Sequence, residues 1–257
     1  MKISVCIIAF NEEKNITESL RSVEWADEIL VVDSESTDAT REIAESLGAK
    51  VLVNKWQSFA HQKQFAVDQA SNDWIFSLDA DEIVSEKLKQ EILFLKTLPE
   101  IRLADGFRIP RLSVYMNRTI RHGGWYPDFQ LRFFNRQKGR WKNVLIHESV
   151  QMNDGAATEK LKSDIVHYSI PDAAYHHKMI GERYAPLAAR QMFERGKRTG
   201  ILKIATVGLT SFLQTYILKG GFLDGIAGFC IARFAAHHSF LKHLLLWEMQ
   251  KKIDSNN

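Results

Sequence analysis

Asp79 and Asp81 stand two residues apart at the end of the run DWIFSLDADE, positions 73–82. In extended chain a period of two puts both carboxylates on one side. Two carboxylates converging at the carboxyl end of a buried strand make a hard-oxygen site suited to Mg²⁺ or Mn²⁺. Two plainer readings compete: Asp81 or Ser85 capping the following helix, or a solvated turn. A third acid, Asp33, closes the strand EILVVD. A fourth, Asp128, lies in WYPDFQ among Trp125, Tyr126 and Phe129. It is a candidate general base, or simply an Asp making a turn after Pro127.

Something must bring these acids to one edge. ISVCIIAF, EILVVD, KVLVN and DWIFSLD read as strands that are apolar throughout, and amphipathic helices separate them. Asn11 is the expected N-cap of the first helix, which runs to about Val23, and Ser36 or Thr37 caps the second, which ends at Gly48. This alternation predicts a parallel sheet covered on both faces, a Rossmann-like unit over 1–98. Ligands of such sheets sit at the carboxyl ends of the strands. After Pro99 the segments DGFRIPRLSVYM, FQLRFFNR and LIHESVQM predict a more antiparallel half over 99–170, and 171–257 reads as helical. The fold class expected is α/β: a mixed sheet flanked by helices, with a helical C-terminal extension.

With 45% hydrophobic and 25% charged residues among 257, the chain can build a proper core, and disorder is not expected. The net charge of +3 names no partner, and no nucleic acid is expected. Its distribution says more: ten basic residues face two acidic ones between Arg102 and Lys142, and seven face two between Tyr175 and Lys203. These stretches suit phosphates or an anionic surface, or a solvated basic face. Cys6 and Cys230 form no framework, which suits a reducing compartment. MKISVCIIAFNEE lacks the shape of a signal peptide, so the fold is expected to begin at once.

An ordered set of blocks resembles the family 2 glycosyltransferases, whose nucleotide-binding half has the GT-A fold. The blocks are IIAFNEE (7–13), VVDSESTDAT (31–40), DWIFSLDADE (73–82), GGWYPDFQLRFF (123–134) and IHE (146–148). GGWYPD and the later KGGFLDG are similar to the subgroup that adds sugars to the lipopolysaccharide inner core. Ala9, Phe10 and DSESTD depart from the residues frequent in the family without removing a group the chemistry needs.

The resemblance implies roles. Phe10 and Glu12 would line the base and ribose pocket, and Asp33 would accept the N–H of a uracil-like base. Asp79 would approach ribose and metal, Asp81 would hold the metal on the diphosphate, and Asp128 would be the base of an inverting displacement. Lys63 would reach a phosphate, or is a surface helix lysine. His147 would be a further metal or diphosphate ligand, or a structural residue. Gln130 and Arg132 share the strand face of Asp128; with Trp125 they would bind acceptor or diphosphate, or form a polar face. The implied cofactor is a divalent cation, and the implied partners are a nucleotide-sugar donor of the UDP-linked kind and a saccharide, lipid-linked or peptide acceptor. The histidine pairs 176–177 and 237–238 lack a third ligand and read as surface or interface residues.

The helical tail from 201 to 250 has apolar runs interrupted at Lys219 and Asp224, with the first about 15 residues long and short for a membrane span. It reads either as a packing or oligomer-forming layer, or as an interfacial contact with the inner leaflet assisted by Lys197, Arg198, Lys203 and Lys219. The expected location is the cytoplasm, or peripherally the inner face of its membrane. Two other classes compete with a transferase. A sugar nucleotidyltransferase would want a Gly-rich N-terminal loop that this chain lacks, and a non-catalytic nucleotide-sugar binder would have no use for an intact set of Asp79, Asp81 and Asp128.

Overall fold

The computed structural model describes residues 1–142 and 148–254. The first half alternates β1 (Ile3–Ala9), α1 (Ile16–Arg21), β2 (Glu28–Asp33), α2 (Thr40–Ser46), β3 (Lys50–Val53), α3 (Phe59–Gln69) and β4 (Trp74–Asp79). Every residue of β1 is buried, because β2 and β4 pair with it in parallel on its two sides. Its side chains alternate between two cores. Ile3, Val5, Ile7 and Ala9 join one, and Cys6 and Ile8 the other, as a strand covered on both faces requires.

The chain continues through β5 (Glu82–Val84), α4 (Glu86–Thr97), β6 (Gly106–Tyr115), β7 (Arg118–Thr119), β8 (Asp128–Asn135), β9 (Gly139–Trp141), β10 (Val150–Met152), β11 (Thr158–Lys160) and β12 (Ile165–Ile170). The sheet order is β3-β2-β1-β4-β8-β6-β12-β5, with β8 antiparallel to β4 and to β6, and β12 antiparallel to β5. The mixed sheet is therefore as expected. The last helices are α5 (Ala173–Lys178), α6 (Ala185–Glu194), α7 (Ile201–Leu213) and the 30-residue α8 (Gly225–Asp254).

Two compact units emerge: Met1–Leu112 with Asp128–His167, and Ser113–Pro127 with the chain from Tyr168 onward. Residues 113–127 thus pack with the helical segment rather than with the sequence neighbours that the first 170 residues suggest.

Within the second unit, Tyr115, Ile120, Ile170, Ala227 and Ile231 form a core. His122 and Asp224 join two turns: Asp224 accepts the backbone N–H of Arg121 (3.2 Å) and of His122 (2.8 Å), and the His122 ring nitrogen Nδ1 lies 2.9 Å from its other oxygen. Gly123 N–H donates to the Lys219 carbonyl at 2.9 Å, so the GGWYPD and KGGFLDG motifs meet in one packed assembly. Gly228 permits the closest approach there, since a Cβ on it would lie 1.8 Å from the Gly221 carbonyl oxygen. His176 is buried against Phe234, with ring centroids 4.1 Å apart, and lies 3.1 Å from the Tyr115 hydroxyl, which corrects the surface reading of that histidine. Burial pushes its pKa down to about 4.

Two local expectations give way to longer-range bonds, and a third holds. α1 begins at Ile16, not after Asn11, whose φ of +55° is left-handed. The N–H groups of Asn11, Glu12 and Glu13 go instead to the side chains of Ser36 (2.8 Å), Thr40 (2.8 Å) and Asp38 (3.2 Å). Asn11 Oδ1 in turn accepts the N–H of Thr37 at 2.8 Å. Ser36 and Thr37 are therefore spent on the neighbouring loop, and α2 starts without a side-chain cap. At α4 the cap is Ser85, whose hydroxyl accepts the Leu88 N–H at 3.2 Å.

Candidate active site

β4 stops at Asp79, and Ala80 and Asp81 form a turn before β5. The two carboxylates take different partners. Asp79 lies 2.8 Å from Lys63 Nζ and 2.9 Å from Arg132 Nη2. Burial opposes its charge, but the two cations outweigh that and hold its pKa far below the usual carboxylate range. Each oxygen of Asp79 thus faces a cation, and Oδ1 makes no hydrogen bond among the described residues.

Lys63 is neither a surface lysine nor a free phosphate ligand. It is 2% exposed, pairs with Asp79, and lies 3.3 Å from Glu148 and 5.0 Å from the Trp141 ring. Arg132 is also buried rather than presented to an acceptor. It donates to Glu82 at 3.1 Å as well as to Asp79, and these carboxylates raise its pKa against the opposing effect of burial. Glu82 is fully buried; its Oε2 accepts the Asp79 N–H at 2.9 Å, and its Oε1 lies 3.5 Å from Arg111 Nη1.

Arg111 carries the network onward. Its Nε (3.0 Å) and Nη2 (2.7 Å) both donate to Asp128 Oδ2, while Gln130 Nε2 donates to Asp128 Oδ1 at 2.6 Å. Asp128 is the first residue of β8 and not a loop residue, and the alternation along β8 does put Gln130 and Arg132 on its face. An unbroken chain of charged contacts thus runs Lys63–Asp79–Arg132–Glu82–Arg111–Asp128. A buried charge needs a partner of this kind to avoid its desolvation cost.

Asp81 is partly open to solvent and 3.1 Å from His167 Nε2 on β12. Burial disfavours the imidazolium, but the bond and charge of Asp81 overcome it, and the His167 pKa is raised. Glu12 stands near: burial raises its pKa, the bond from Asn15 (2.7 Å) opposes this, and the charges of Asp81, Asp38 and Asp79 raise it further. The open end of the network is therefore acidic. Lys63, Arg111 and Arg132 face four carboxylates, Asp79, Glu82, Glu148 and Asp128, and Glu12 and Asp81 add two more, with His167 beside Asp81.

That excess suits a divalent cation. Among the described residues no group of three or more His, Cys, Asp or Glu side chains could hold a metal alone. Asp81 nevertheless offers a carboxylate for an ion that completes its shell with substrate oxygens and water, as Mg²⁺ does in phosphate sites, and the His167 nitrogen beside it would suit a softer ion such as Mn²⁺. His147 lies outside the described residues.

On the neighbouring strand end, Asp33 is fully buried. Its Oδ2 accepts the Ser36 N–H at 2.8 Å, and no hydrogen-bond donor among the described residues reaches Oδ1. Phe10 is 55% exposed just past β1. Trp125 belongs to the second unit, where its ring meets Tyr115 at 6.0 Å. Sequence reasoning missed His167, Glu148 and Arg111. Each meets its partner through pairing across 86, 85 or 17 residues, and only the last two carried even a charge signal.

Residues 4–158 match the family model "Glycosyl transferase family 2". An uncharacterized glycosyltransferase of Rickettsia bellii is 33% identical over 261 residues, covering 96% of this chain and 87% of that protein. The lipopolysaccharide core biosynthesis glycosyltransferase LpsC of Rhizobium meliloti is 29% identical over 251 residues, covering 94% and 90%. Among solved structures, a mannosyltransferase from Pyrobaculum calidifontis, in complex with GDP-Man and Mn²⁺, superposes with a TM-score of 0.55 at 14% identity, covering 96% and 87%.

Proposed function

This chain belongs to glycosyl transferase family 2, and from that premise we propose that it moves a sugar from a nucleotide-diphosphate donor, a UDP-sugar, to a hydroxyl of a saccharide or lipid-linked acceptor such as lipopolysaccharide core. The observation that carries the reading is the acidic, partly open Asp81–His167 pair at the ligand edge of the sheet, beside a buried network that ends on Asp128.

On the donor side, the unmatched Asp33 Oδ1 favours a base with an N–H to give, because an unsatisfied buried acceptor costs about 1–3 kcal/mol that such a donor would recover. Phe10 offers an exposed ring beside it for the base. Asp81 and His167 would hold Mg²⁺ or Mn²⁺, which when bound offsets the charge of the departing diphosphate. Asp79 keeps Lys63 and Arg132 in place beneath them.

The transfer is read as a single displacement with inversion. The acceptor oxygen forms its bond to the anomeric carbon as the bond to the diphosphate breaks and the diphosphate leaves with the electron pair. Asp128 takes the hydroxyl proton. Arg111 fixes one carboxylate oxygen, and Gln130 yields the other to the incoming hydroxyl.

The test is calorimetric titration with UDP, with Mn²⁺ present and then removed by EDTA, for the parent, Asp81→Ala and Asp128→Asn. The expected pattern is metal-dependent binding that Asp81→Ala abolishes and Asp128→Asn preserves, together with loss of transfer in Asp128→Asn. A folded parent that ignores UDP and takes GDP would overturn the assignment of the base. Binding unaffected by Asp81→Ala would overturn the assigned metal site.

A further inference from the structure

Helix α7 continues through a π-helical turn, Gln214–Leu218. Ile201–Leu218 is 18 residues long with a mean hydropathy of 1.4, enough by length and composition to cross a membrane, and longer than the run read from sequence. Only 17% of it is buried. One stripe is satisfied by protein: Ile204, Val207 and Thr215 are buried, and Ser211 donates to the Ala235 carbonyl of α8 at 3.2 Å. At 3.6 residues per turn the opposite stripe is Leu202, Leu209 and Leu213, exposed by 75%, 64% and 45%.

Leu218, Phe222, Leu223 and Ile226 extend the exposed apolar surface around the following turn. The rings of Phe212, Tyr216, Phe222 and Phe229 interlock, with successive centroids 5.2, 6.3 and 5.7 Å apart through Tyr216. A contiguous apolar face of this kind on a water-soluble surface calls for an occupant.

Charge identifies the occupant. From Arg195 to Trp247 the sequence holds seven Lys and Arg residues and one acid, Asp224. That acid is buried and committed to His122. Lys197, Arg198, Lys203 and Lys219 are exposed around the leucines. A second copy would bring like charges together, whereas an anionic bilayer complements them.

We propose that the outward face of α7 and the turn after it form a monotopic docking surface for an anionic lipid bilayer. The leucines and Phe222 enter the interface while the basic residues meet the headgroups. The helix lies in the interface rather than spanning, since α8 occupies one stripe and Lys203 and Gln214 make a polar flank. The surface adds a partner to the transferase reading, but its test measures binding and not transfer.

The full chain would be floated with phosphatidylcholine vesicles, and with vesicles that also contain phosphatidylglycerol, at low and high salt. The parent is expected to float with the anionic vesicles, less at high salt. The triple substitution Leu202→Asp, Leu209→Asp, Leu218→Asp alters exposed side chains, and circular dichroism would confirm its fold. It should lower partitioning by about 100-fold or more. Arg198→Gln with Lys203→Gln should lower binding to anionic vesicles about 30-fold and leave neutral vesicles unaffected. A parent that stays in the unbound fraction, or a parent dimer in light scattering that the leucine substitutions split while vesicles are ignored, would overturn the proposal. The latter result would assign the face to a second copy.

Discussion

Glu82→Gln isolates the buried network from its chemistry. The substitution keeps size and an acceptor for the Asp79 N–H, but removes the charge that faces Arg132 at 3.1 Å and Arg111 at 3.5 Å. Arg132 is nearly fully buried, so it cannot turn to water for compensation. Removing one partner of a buried pair costs about 3–5 kcal/mol. Because Asp79 still holds Arg132 and Asp128 still holds Arg111, the low end applies, about 3 kcal/mol. In a chain of this size that lowers Tm by roughly 6–12 °C. The control is Asp73→Asn, which breaks the Arg136–Asp73 pair at 3.1 Å with the Asp73 side chain 53% exposed. Exposed pairs are worth about 0–1 kcal/mol, so that variant should melt within about 4 °C of the parent. Thermal unfolding followed by circular dichroism at neutral pH compares the three proteins. If Glu82→Gln melts together with Asp73→Asn, the network is not the buried, interdependent unit described above.

Arg111→Gln should leave UDP affinity unchanged while kcat falls about 10- to 100-fold, since bonds to a charged carboxylate are worth about 1.5–3 kcal/mol and here they orient Asp128; an unchanged kcat, or a matched loss of donor binding, would refute this. His176 is neutral when folded, with its pKa pushed down to about 4, and protonates near 6.5 when unfolded. Its contribution to stability is complete above about pH 6.5 and fades as the pH falls toward 4, by up to about 3 kcal/mol. In His176→Phe, Tm should therefore fall less over that window than in the parent. Gly228→Ala gains about 1 kcal/mol of helix propensity but places a methyl carbon on the Gly221 carbonyl. Overpacking costs about 1–3 kcal/mol, so the variant should lose up to about 2 kcal/mol net, and one more stable than the parent would show that the turn yields freely.

The central strands were legible because both faces of β1, β2 and β4 are buried, which forces continuous apolar runs that few other structures produce. The position of the acids at the strand ends followed from that. What each acid touches did not. Asp79 and Asp81 differ by two residues, yet one meets Lys63 and Arg132 and the other His167, and the divergence is set by a turn and by β12 pairing with β5. Lys63 reads as a surface residue from α3 alone; β9, bearing Trp141, meets it together with Asp79 and Glu148. Asn11 misled for the same reason. Its local preference for a helix cap lost to bonds with residues 25 and 26 positions away.

Those bonds have a consequence for how a ligand would be received. The amides of Asn11, Glu12 and Glu13 are already held by Ser36, Thr40 and Asp38, and Asn11 returns the favour to Thr37. The loops after β1 and β2 therefore behave as one stiffened rim. A nucleotide arriving there finds a receptor whose backbone has been ordered during folding, so little conformational freedom is lost on association. Tight binding then needs fewer contacts, and a change on one loop is felt on the other, binding two distant stretches of sequence to a shared fate.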